Sequence, residues 1–220
     1  MEESAKDKLP RATAKRLPLY LRNLNILEAE GVIRIKSREF AEITKIPSAT
    51  IRRDFSYLGE LGRSGYGYDV PYLIEVFTAL LEANEKKSIA IVGFGNLGRA
   101  IAKNNFRRND NLAISCVFDN NPALVGKEIT GFYVYDIRDL KRMVQEKNVS
   151  VVITTVPSEN SQIVVDEIVA SGVTAILNFS SDRVDIPKNV NMRYIDLTTE
   201  LLTLVFFDHH YKKRPLVVTT

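Results

Sequence analysis

The sequence predicts an α/β protein in which a small helical domain precedes a mostly parallel β-sheet. From about residue 87 to residue 195, short apolar runs alternate with segments compatible with helices, as in parallel sheets with crossover helices. Before them, two short amphipathic segments flank a tight turn, and a glycine-rich stretch follows. A strongly apolar segment lies near the end of the chain. We therefore expect three regions, at residues 1–84, 85–197 and 198–220.

The first region is expected to begin with a long helix that starts at Pro10 and ends at Gly31. Proline is tolerated in a first helical turn because its missing N–H has no partner there. Leucines spaced four, three and three residues apart would form the buried face of this helix: Leu17, Leu21, Leu24 and Leu27. A short β-type run, residues 32–35, follows.

A helix-turn-helix is predicted over about residues 18–57. Ser37 would cap a short helix over residues 37–43, and Ser48 would cap a second helix over residues 49–58, because serine side chains accept hydrogen bonds from free N–H groups. A short turn between two such helices is the arrangement of many DNA-binding domains.

The second of these helices has a polar and basic outer face. Ile51, Phe55 and Leu58 lie on one stripe, and Arg52 and Arg53 lie outside it. Residues 62–68 are then predicted to form a glycine-rich hairpin, like the wing of a winged helix-turn-helix. The pattern predicts DNA binding; the alternative is a small helical domain with solvated arginines.

Charge is distributed unevenly along the chain, which has a net charge of +3. Residues 1–69 hold 13 Lys and Arg against 10 Asp and Glu, and the remaining residues hold 17 against 17. The excess positive charge therefore lies in the predicted helix-turn-helix region and slightly favours a nucleic-acid partner.

A glycine motif of the form G-x-G-x-x-G follows an apolar strand over residues 89–92 and opens a helix predicted over residues 97–106. Gly93 would supply the tight turn, Gly95 would let the backbone approach a pyrophosphate, and Gly98 would let the helix pack closely on the strand. Phosphate groups would meet free N–H groups at the positive end of the helix dipole.

Asp119 ends the next apolar strand, predicted over residues 114–118. It lies roughly 20 residues beyond the glycines, where dinucleotide-binding folds place the acid that binds ribose hydroxyls. A carboxylate there favours NAD(H) over NADP(H), because it repels a 2′-phosphate. The second region is therefore predicted to be a Rossmann-like sheet that binds a nucleotide; the alternative is a structural turn.

The remaining elements complete this alternation. A connecting helix over residues 72–82 leads to a domain boundary near residues 83–87. A small strand pair is expected at 127–135, strands at 150–156, 175–177 and 192–195, and helices at 136–146 and 159–171.

The last helix is expected to begin with Thr198 as its cap and Glu200 in its first turn. It is apolar over most of its circumference: Leu201, Leu202, Leu204, Val205, Phe206 and Phe207. Because such a helix must be buried, we expect a partner subunit to cover it. The basic segment 212–214 follows.

The single cysteine, the two histidines and the lengths of the apolar runs argue against a disulfide-bonded, a metal-binding or a membrane protein. The one cysteine, Cys116, lies in an apolar strand and is expected to be a buried, unreactive side chain. The chain shows no signal peptide and no membrane-spanning run, so we expect a cytoplasmic protein without a membrane partner. The two histidines, His209 and His210, lack further ligands for a metal site.

In their order along the chain, these features resemble the Rex family of redox-sensing transcriptional repressors from about Pro10 to Tyr211. The resemblance is carried by residues 51–59 for the recognition helix, 65–70 for the wing, 93–98 for the glycine turn, and Phe118-Asp119 with Pro122 and Gly126. Val156-Pro157, residues 176–179 and residues 196–201 match later motifs of the family.

The resemblance implies a homodimeric repressor that binds a palindromic double-stranded DNA operator when NAD⁺ is high and releases it when NADH rises. Its terminal helix would be exchanged between subunits. Ser48, Thr50, Arg52 and Arg53 would lie in or beside a major groove, and Tyr57 and Arg63 would contact the DNA backbone.

The resemblance also implies a set of residues that contact NAD(H). These are Gly93, Phe94, Gly95, Asn96, Leu97, Gly98, Asp119, Asn120, Thr155, Val156, Pro157, Asn178, Phe179 and Ser180. An interdomain ion pair between Arg16 and Asp196 would form in one state of the dimer and break in the other. The chain departs from the family pattern at Asn104, where a tyrosine is frequent, and at Ser180-Ser181, where Ala-Pro is common.

Two other functions remain open at this stage. An NAD-dependent oxidoreductase would need a proton donor beside the nicotinamide, but the chain has no Tyr-x-x-x-Lys motif and no other acid or base stands out. We therefore predict no catalytic residues. A coenzyme A or other nucleotide-binding module would use a similar glycine turn, and titration with nucleotide in the presence and absence of DNA would distinguish it.

Overall fold

The computed structural model describes residues 9–63, 66–103 and 111–211 of the chain. The chain divides into two compact units, Met1–Glu85 and Lys86–Thr220. Several features of the sequence prediction lie outside the described residues: Asn104, the predicted helix end at Phe106, Gly65 in the wing, and the basic segment 212–214.

The described part of the first unit is mainly helical, with a small antiparallel sheet in the strand order β1-β3-β2. Its helices are α1 (Arg11–Ala14), α2 (Leu17–Ala29), α3 (Ser37–Thr44), α4 (Ser48–Ser56) and α5 (Val70–Leu80). Its strands are β1 (Arg34–Ile35), β2 (Gly62–Arg63) and β3 (Gly67–Asp69). Helices α3 and α4 form the predicted helix-turn-helix, and β2 and β3 form the predicted hairpin.

The prediction of one continuous helix between Pro10 and Gly31 was wrong. The chain breaks between α1 and α2, where the Arg16 N–H donates to the Thr13 carbonyl oxygen over 2.9 Å. Pro18 explains the break, because it has no N–H to donate and it disfavours helical geometry in the residue before it.

The predicted caps Ser37 and Ser48 were also placed one residue too late, since each is the first residue of its helix and the cap positions are Lys36 and Pro47. At α3, the Lys36 N–H donates to Glu39 Oε2 over 2.8 Å, so a carboxylate in the first turn supplies the acceptor. At α4, Pro47 precedes the helix without a side-chain cap.

Four aromatic rings form the centre of the first unit: Tyr20, Phe40, Phe55 and Phe77. All four are buried. The ring of Tyr20 meets that of Phe55 edge-on, with centroids 5.5 Å apart, and lies 5.7 Å from that of Phe40. Because Phe55 belongs to α4, this cluster fixes the inner face of the second helix of the helix-turn-helix.

The second unit is a sheet with helices, and its described elements alternate as predicted. Its strands are β4 (Lys87–Val92), β5 (Leu112–Asp119), β6 (Glu128–Ile129), β7 (Phe132–Asp136), β8 (Val149–Thr154), β9 (Ala175–Asn178) and β10 (Asn191–Tyr194). Its helices are α6 (Asn96–Lys103), α7 (Leu140–Glu146), α8 (Ser161–Ala170) and α9 (Leu197–Tyr211), with 3₁₀ turns at Ile137–Asp139 and Ser158–Asn160.

The strand order is β10-β9-β8-β4-β5-β7-β6. The described strand pairs are parallel, except that β6 pairs antiparallel with β7. The chain runs from β4 outward to β7 and β6, and then returns to place β8 on the other side of β4. This reversal creates a crevice at the carboxyl ends of β4 and β8, where open α/β sheets bind ligands.

Cys116 lies in β5 and is 2% exposed, within a cluster that includes Val92, Phe118 and Val152. Burial raises the pKa of its thiol above the usual value, although a hydrogen bond with Ser115 opposes this effect. The predicted burial of this side chain is confirmed.

Helix α9 exposes its apolar side chains in the isolated chain. Leu201, Leu202, Leu204 and Val205 are each 60–65% exposed. The prediction that Thr198 caps α9 was wrong: Asp196 Oδ1 accepts from the Thr198 N–H over 2.9 Å, and Asp196 Oδ2 accepts from the Thr199 hydroxyl over 2.6 Å. No described helix is long and apolar enough to cross a membrane.

Candidate functional site

The glycine turn after β4 leaves no room for side chains at two of its three glycines. Gly93 has a φ of +93°, and a Cβ there would lie 3.0 Å from the carbonyl carbon of Thr155. A Cβ on Gly98 would overlap with the Gly93 carbonyl oxygen. The Thr155 hydroxyl donates to the same oxygen over 2.6 Å, so α6 packs directly on the turn and on the loop after β8.

Gly95 differs from its neighbours because a Cβ there would have no atom within 4 Å. Its carbonyl oxygen accepts from the Arg99 N–H over 3.0 Å, which places Gly95 at the start of α6. The backbone at the positive end of the helix dipole is therefore open to an approaching anion.

Asp119 ends β5 beside this turn. Its Oδ2 accepts from the Phe94 N–H over 2.7 Å, and its Oδ1 accepts from the Asn121 N–H over 2.8 Å. Each carboxylate oxygen has a further lone pair, so Asp119 is held in place by the backbone while it still has the capacity to accept ribose hydroxyls.

A cavity of about 340 Å³ opens at the carboxyl edge of the sheet. Seven of the predicted nucleotide contacts line it: Gly93, Gly95, Asp119, Asn120, Thr155, Val156 and Pro157. Six further lining residues were not predicted from the sequence: Val92, Ile137, Asn160, Ile163, Val164 and Glu167. Ile137 follows β7, and four of the others lie in α8 or the turn before it, so the strand order would have been needed to find them.

The other predicted nucleotide contacts do not line this cavity. Phe94 is buried in the core, Asn96 and Leu97 begin α6, and Gly98 faces the turn. Asn178 is fully buried at the end of β9, where its Oδ1 accepts from the Ser180 N–H over 2.9 Å. Ser180 and Ser158 place their hydroxyl oxygens 3.0 Å apart, and Phe179 lies between Asn178 and Ser180. Asn178, Ser180 and Ser158 form a second polar group at the same edge of the sheet, whereas Phe179 packs against the apolar cluster that contains Phe94.

Helix α4 presents the predicted DNA contacts on its outer face. Arg52 and Arg53 are exposed, whereas Ser48 and Thr50 are half-buried. Arg53 Nε donates to the Tyr57 hydroxyl over 3.2 Å, and Arg52 Nη1 lies 3.3 Å from the Ser37 hydroxyl of α3. Arg63 belongs to β2, and its side chain lies outside the described part of the structure.

The predicted switch residues both have partners within their own units. Arg16 forms an ion pair with Asp54 of α4, with Nη2 and Oδ1 2.6 Å apart, and Asp196 caps α9. Asp54 was not predicted as a functional residue, although it lies three residues after the buried Ile51 and therefore on the inner stripe of α4.

Comparisons with known proteins match both units. A family described as "Putative DNA-binding protein N-terminus" matches residues 8–56, and one described as "CoA binding domain" matches residues 84–181. A redox-sensing transcriptional repressor, Rex 2 of Enterococcus faecalis, is 61% identical over 204 residues, which cover 93% of this chain and 95% of that protein. The chain belongs to the Rex family.

Other Rex proteins support this assignment over nearly the whole chain. The Rex repressor of Latilactobacillus sakei is 51% identical and covers 92% of this chain and 98% of its own length. The crystal structure of RSP, a Rex-family repressor, superposes with a TM-score of 0.83 at 30% identity, over 92% of this chain and 95% of that one. RSP has also been solved with β-NAD⁺ and operator DNA, with a TM-score of 0.82 and 31% identity over 92% of this chain and 94% of that one.

Membership of the Rex family decides between the functions that the sequence left open. Rex proteins are transcriptional repressors, so this chain is a regulator and not an NAD-dependent oxidoreductase. The match to a coenzyme A-binding family covers the sheet alone, whereas the Rex relatives cover both units. The predicted fold, a winged helix-turn-helix followed by a Rossmann-like sheet, is confirmed.

Proposed function

We propose that this Rex repressor binds NAD(H) at the carboxyl edge of its sheet and a palindromic operator through α4, and that NADH releases it from DNA. The open backbone at Gly95 carries the proposal, because a side chain could be accommodated there by the fold and would occupy the space of a pyrophosphate. RSP, which this chain matches over 94–96% of its length, has been solved with β-NADH as well as with β-NAD⁺ and operator DNA.

The cavity is suited to the adenosine half of the dinucleotide. Asp119 lies at one side of it, where its carboxylate would accept ribose hydroxyls. The apolar side chains of Ile137, Ile163 and Val164 would then contact the adenine ring. The polar group formed by Asn178, Ser180 and Ser158 lies across the crevice and would face the other half of the dinucleotide, as would the neighbouring Phe179.

A second copy of the chain would cover α9 and complete the repressor. The exposed leucines of this helix form a larger apolar surface than single exposed residues do, and such surfaces mark contacts between proteins. A twofold-symmetric dimer would present two α4 helices to the two halves of a palindrome.

Operator binding as a function of the NADH/NAD⁺ ratio tests the proposal directly. A duplex selected from a random-sequence library would serve as the operator, and the salt concentration would be fixed because salt alone shifts DNA affinity strongly. We expect tight binding with NAD⁺ and release as NADH rises. Operator affinity that is independent of this ratio would contradict the proposal.

Asp119→Ala should weaken NADH binding and reduce the preference over NADPH. Loss of a hydrogen bond to a charged group costs about 1.5–3 kcal/mol, so we expect roughly 10- to 100-fold weaker NADH binding, measured by fluorescence titration. Asp119→Asn retains the shape and removes the charge that repels a 2′-phosphate. It should therefore improve NADPH binding relative to NADH, and an unchanged preference would exclude Asp119 as the discriminating residue.

Arg52→Ala and Arg53→Ala should weaken operator binding, because both side chains lie on the outer face of α4. Loss of a base contact should cost about 1–3 kcal/mol and change the sequence preference, whereas loss of a phosphate contact should flatten the salt dependence. Arg138→Ala is a matched control, since this side chain is 86% exposed but lies in the second unit. Wild-type operator affinity in both α4 variants would refute this placement of DNA.

We also propose that Arg16 and Asp196 of opposite subunits pair in one state of the dimer. Asp54 accepts hydrogen bonds from Nε and Nη2 of Arg16, so a second carboxylate would have to approach Nη1. We expect Arg16→Ala and Asp196→Ala to reduce the NADH response, taken as the ratio of operator affinities without and with NADH, with effects that are not additive in the double variant. The ratio is used because Arg16→Ala also removes two donors to Asp54 and so changes operator affinity in the absence of NADH. Additive effects and a full NADH response would show that this pair is not the switch.

A further inference from the structure

Asp54 is a carboxylate in the core of the DNA-binding unit. It belongs to α4, between the buried Ile51 and Phe55, and it is 1% exposed. Burial of an ionised carboxylate is costly unless hydrogen bonds replace the lost water. An apolar residue at this position would complete the inner stripe of α4 without such a requirement, so the carboxylate calls for an explanation beyond packing.

Four hydrogen bonds from described side chains reach this carboxylate. Oδ1 accepts from the Thr13 hydroxyl over 2.8 Å and from Arg16 Nη2 over 2.6 Å. Oδ2 accepts from Arg16 Nε over 2.6 Å and from the Tyr20 hydroxyl over 2.6 Å. All of these donors lie in α1, in α2 or between them, so one side chain of α4 is tied to the N-terminal segment of the unit.

The charge state of the group follows from these contacts. Burial raises the pKa of Asp54, but the hydrogen bonds from Arg16, Tyr20 and Thr13 outweigh that effect and lower the pKa below its usual value. The pKa of Tyr20 is raised, chiefly by burial, so its hydroxyl keeps its proton and remains a donor. At neutral pH, Asp54 and Arg16 are therefore both charged, and the neutral hydroxyls of Thr13 and Tyr20 complete the hydrogen bonds to the carboxylate.

We propose that Asp54 is a positioning residue, which fixes the rotation of α4 about its own axis and thereby places Arg52 and Arg53 against the bases. The apolar contacts of Ile51 and Phe55 hold α4 on the core, but apolar burial is less directional than a hydrogen bond. Bidentate, charge-assisted hydrogen bonds between arginine and carboxylate are directional, so they resist rotation of the helix. This inference rests on the proposed binding of α4 to DNA.

Rotation matters because α4 contacts DNA with side chains far from its axis. At a side-chain radius of about 5–6 Å, a rotation of about 20° moves a side-chain tip by about 2 Å. Hydrogen bonds to base edges tolerate much smaller displacements. Contacts between long, flexible arginines and phosphates tolerate more, so a loosened α4 should lose specific binding while it retains non-specific binding.

The test uses two conservative variants, because Asp54→Ala would endanger the fold. Tyr20→Phe and Thr13→Val each remove one hydroxyl donor to Asp54 and preserve the shape of the side chain. Affinity would be measured for the selected operator and for an unrelated duplex of equal length, across a range of salt concentrations. Tyr72→Phe is the matched control, since Tyr72 lies on α5 of the same unit and is 47% exposed.

We expect each variant to lower operator affinity by about 5-fold, the effect of one hydrogen bond, and the double variant to lower it further. Affinity for the unrelated duplex and the salt dependence should stay at wild-type values. A lower melting temperature with an unchanged ratio of specific to non-specific affinity would overturn the inference, because Asp54 would then serve stability alone.

Failure of this inference can be distinguished from failure of the proposed function. If Arg52→Ala and Arg53→Ala reduce operator affinity while Tyr20→Phe and Thr13→Val leave the specificity ratio unchanged, α4 binds DNA but Asp54 does not position it. If neither pair of variants alters operator binding, α4 is not the DNA-binding helix, and the inference is refuted together with this part of the proposed function.

Discussion

Gly95→Arg should abolish the response of operator binding to NADH and leave the fold intact. A Cβ at this position meets no atom within 4 Å, so the chain can carry a side chain there. The same side chain would occupy the space in front of α6 that the pyrophosphate needs. We expect NADH affinity to fall more than about 100-fold, equivalent to about 2.7 kcal/mol, measured by fluorescence titration.

The variant should also remain on its operator at NADH concentrations that release the wild-type protein. Gly98→Ala provides the contrasting control, because a Cβ there overlaps with the Gly93 carbonyl oxygen and should lower the melting temperature of the sheet unit. Wild-type NADH affinity in Gly95→Arg would show that the dinucleotide does not bind at this turn.

The second large effect is expected at α9. Leu201→Glu combined with Val205→Glu places two charges one helical turn apart on a surface that a second subunit is proposed to cover. The two native side chains are 60% and 63% exposed in the isolated chain. Their replacement should not unfold the monomer, but it should raise the dimer dissociation constant by more than about 1,000-fold, since each buried charge costs several kcal/mol.

Sedimentation at several protein concentrations would measure this effect, and operator affinity should fall with it because two half-sites would no longer be bound together. Ile33→Glu is the control, since Ile33 is an equally exposed apolar side chain, at 67%, in the other unit. A dimer that persists in the α9 variant would assign the subunit contact to another surface.

The sheet could be predicted from sequence because its signals are local. Apolar runs of strand length, glycines at fixed spacing and an acid at the end of the next strand all lie within short stretches around Gly93 and Asp119. The strand order could not be obtained in this way. For that reason Ile137 and Glu167, which come from separate crossovers, were not recognised as neighbours of the glycine turn.

Errors at helix ends came from competition between neighbouring groups. Asp196 takes the place of Thr198 as the cap of α9 because the helix already begins at Leu197, and the Asp196 carboxylate accepts a hydrogen bond from the Thr198 N–H group. Asp54 was missed for another reason: its Thr13 partner lies 41 residues away, and no local pattern shows that a distant segment will supply donors to a buried charge.

The environment of Cys116 protects this repressor from oxidants that react with thiols. Oxidants such as peroxide attack the thiolate form of exposed cysteines, whereas this thiol is buried in the sheet and its pKa is raised. It is also the one cysteine of the chain, so no disulfide can form within a single copy. Peroxide or diamide should therefore leave operator binding unchanged. Operator binding would then respond to NADH and not to oxidation of the thiol.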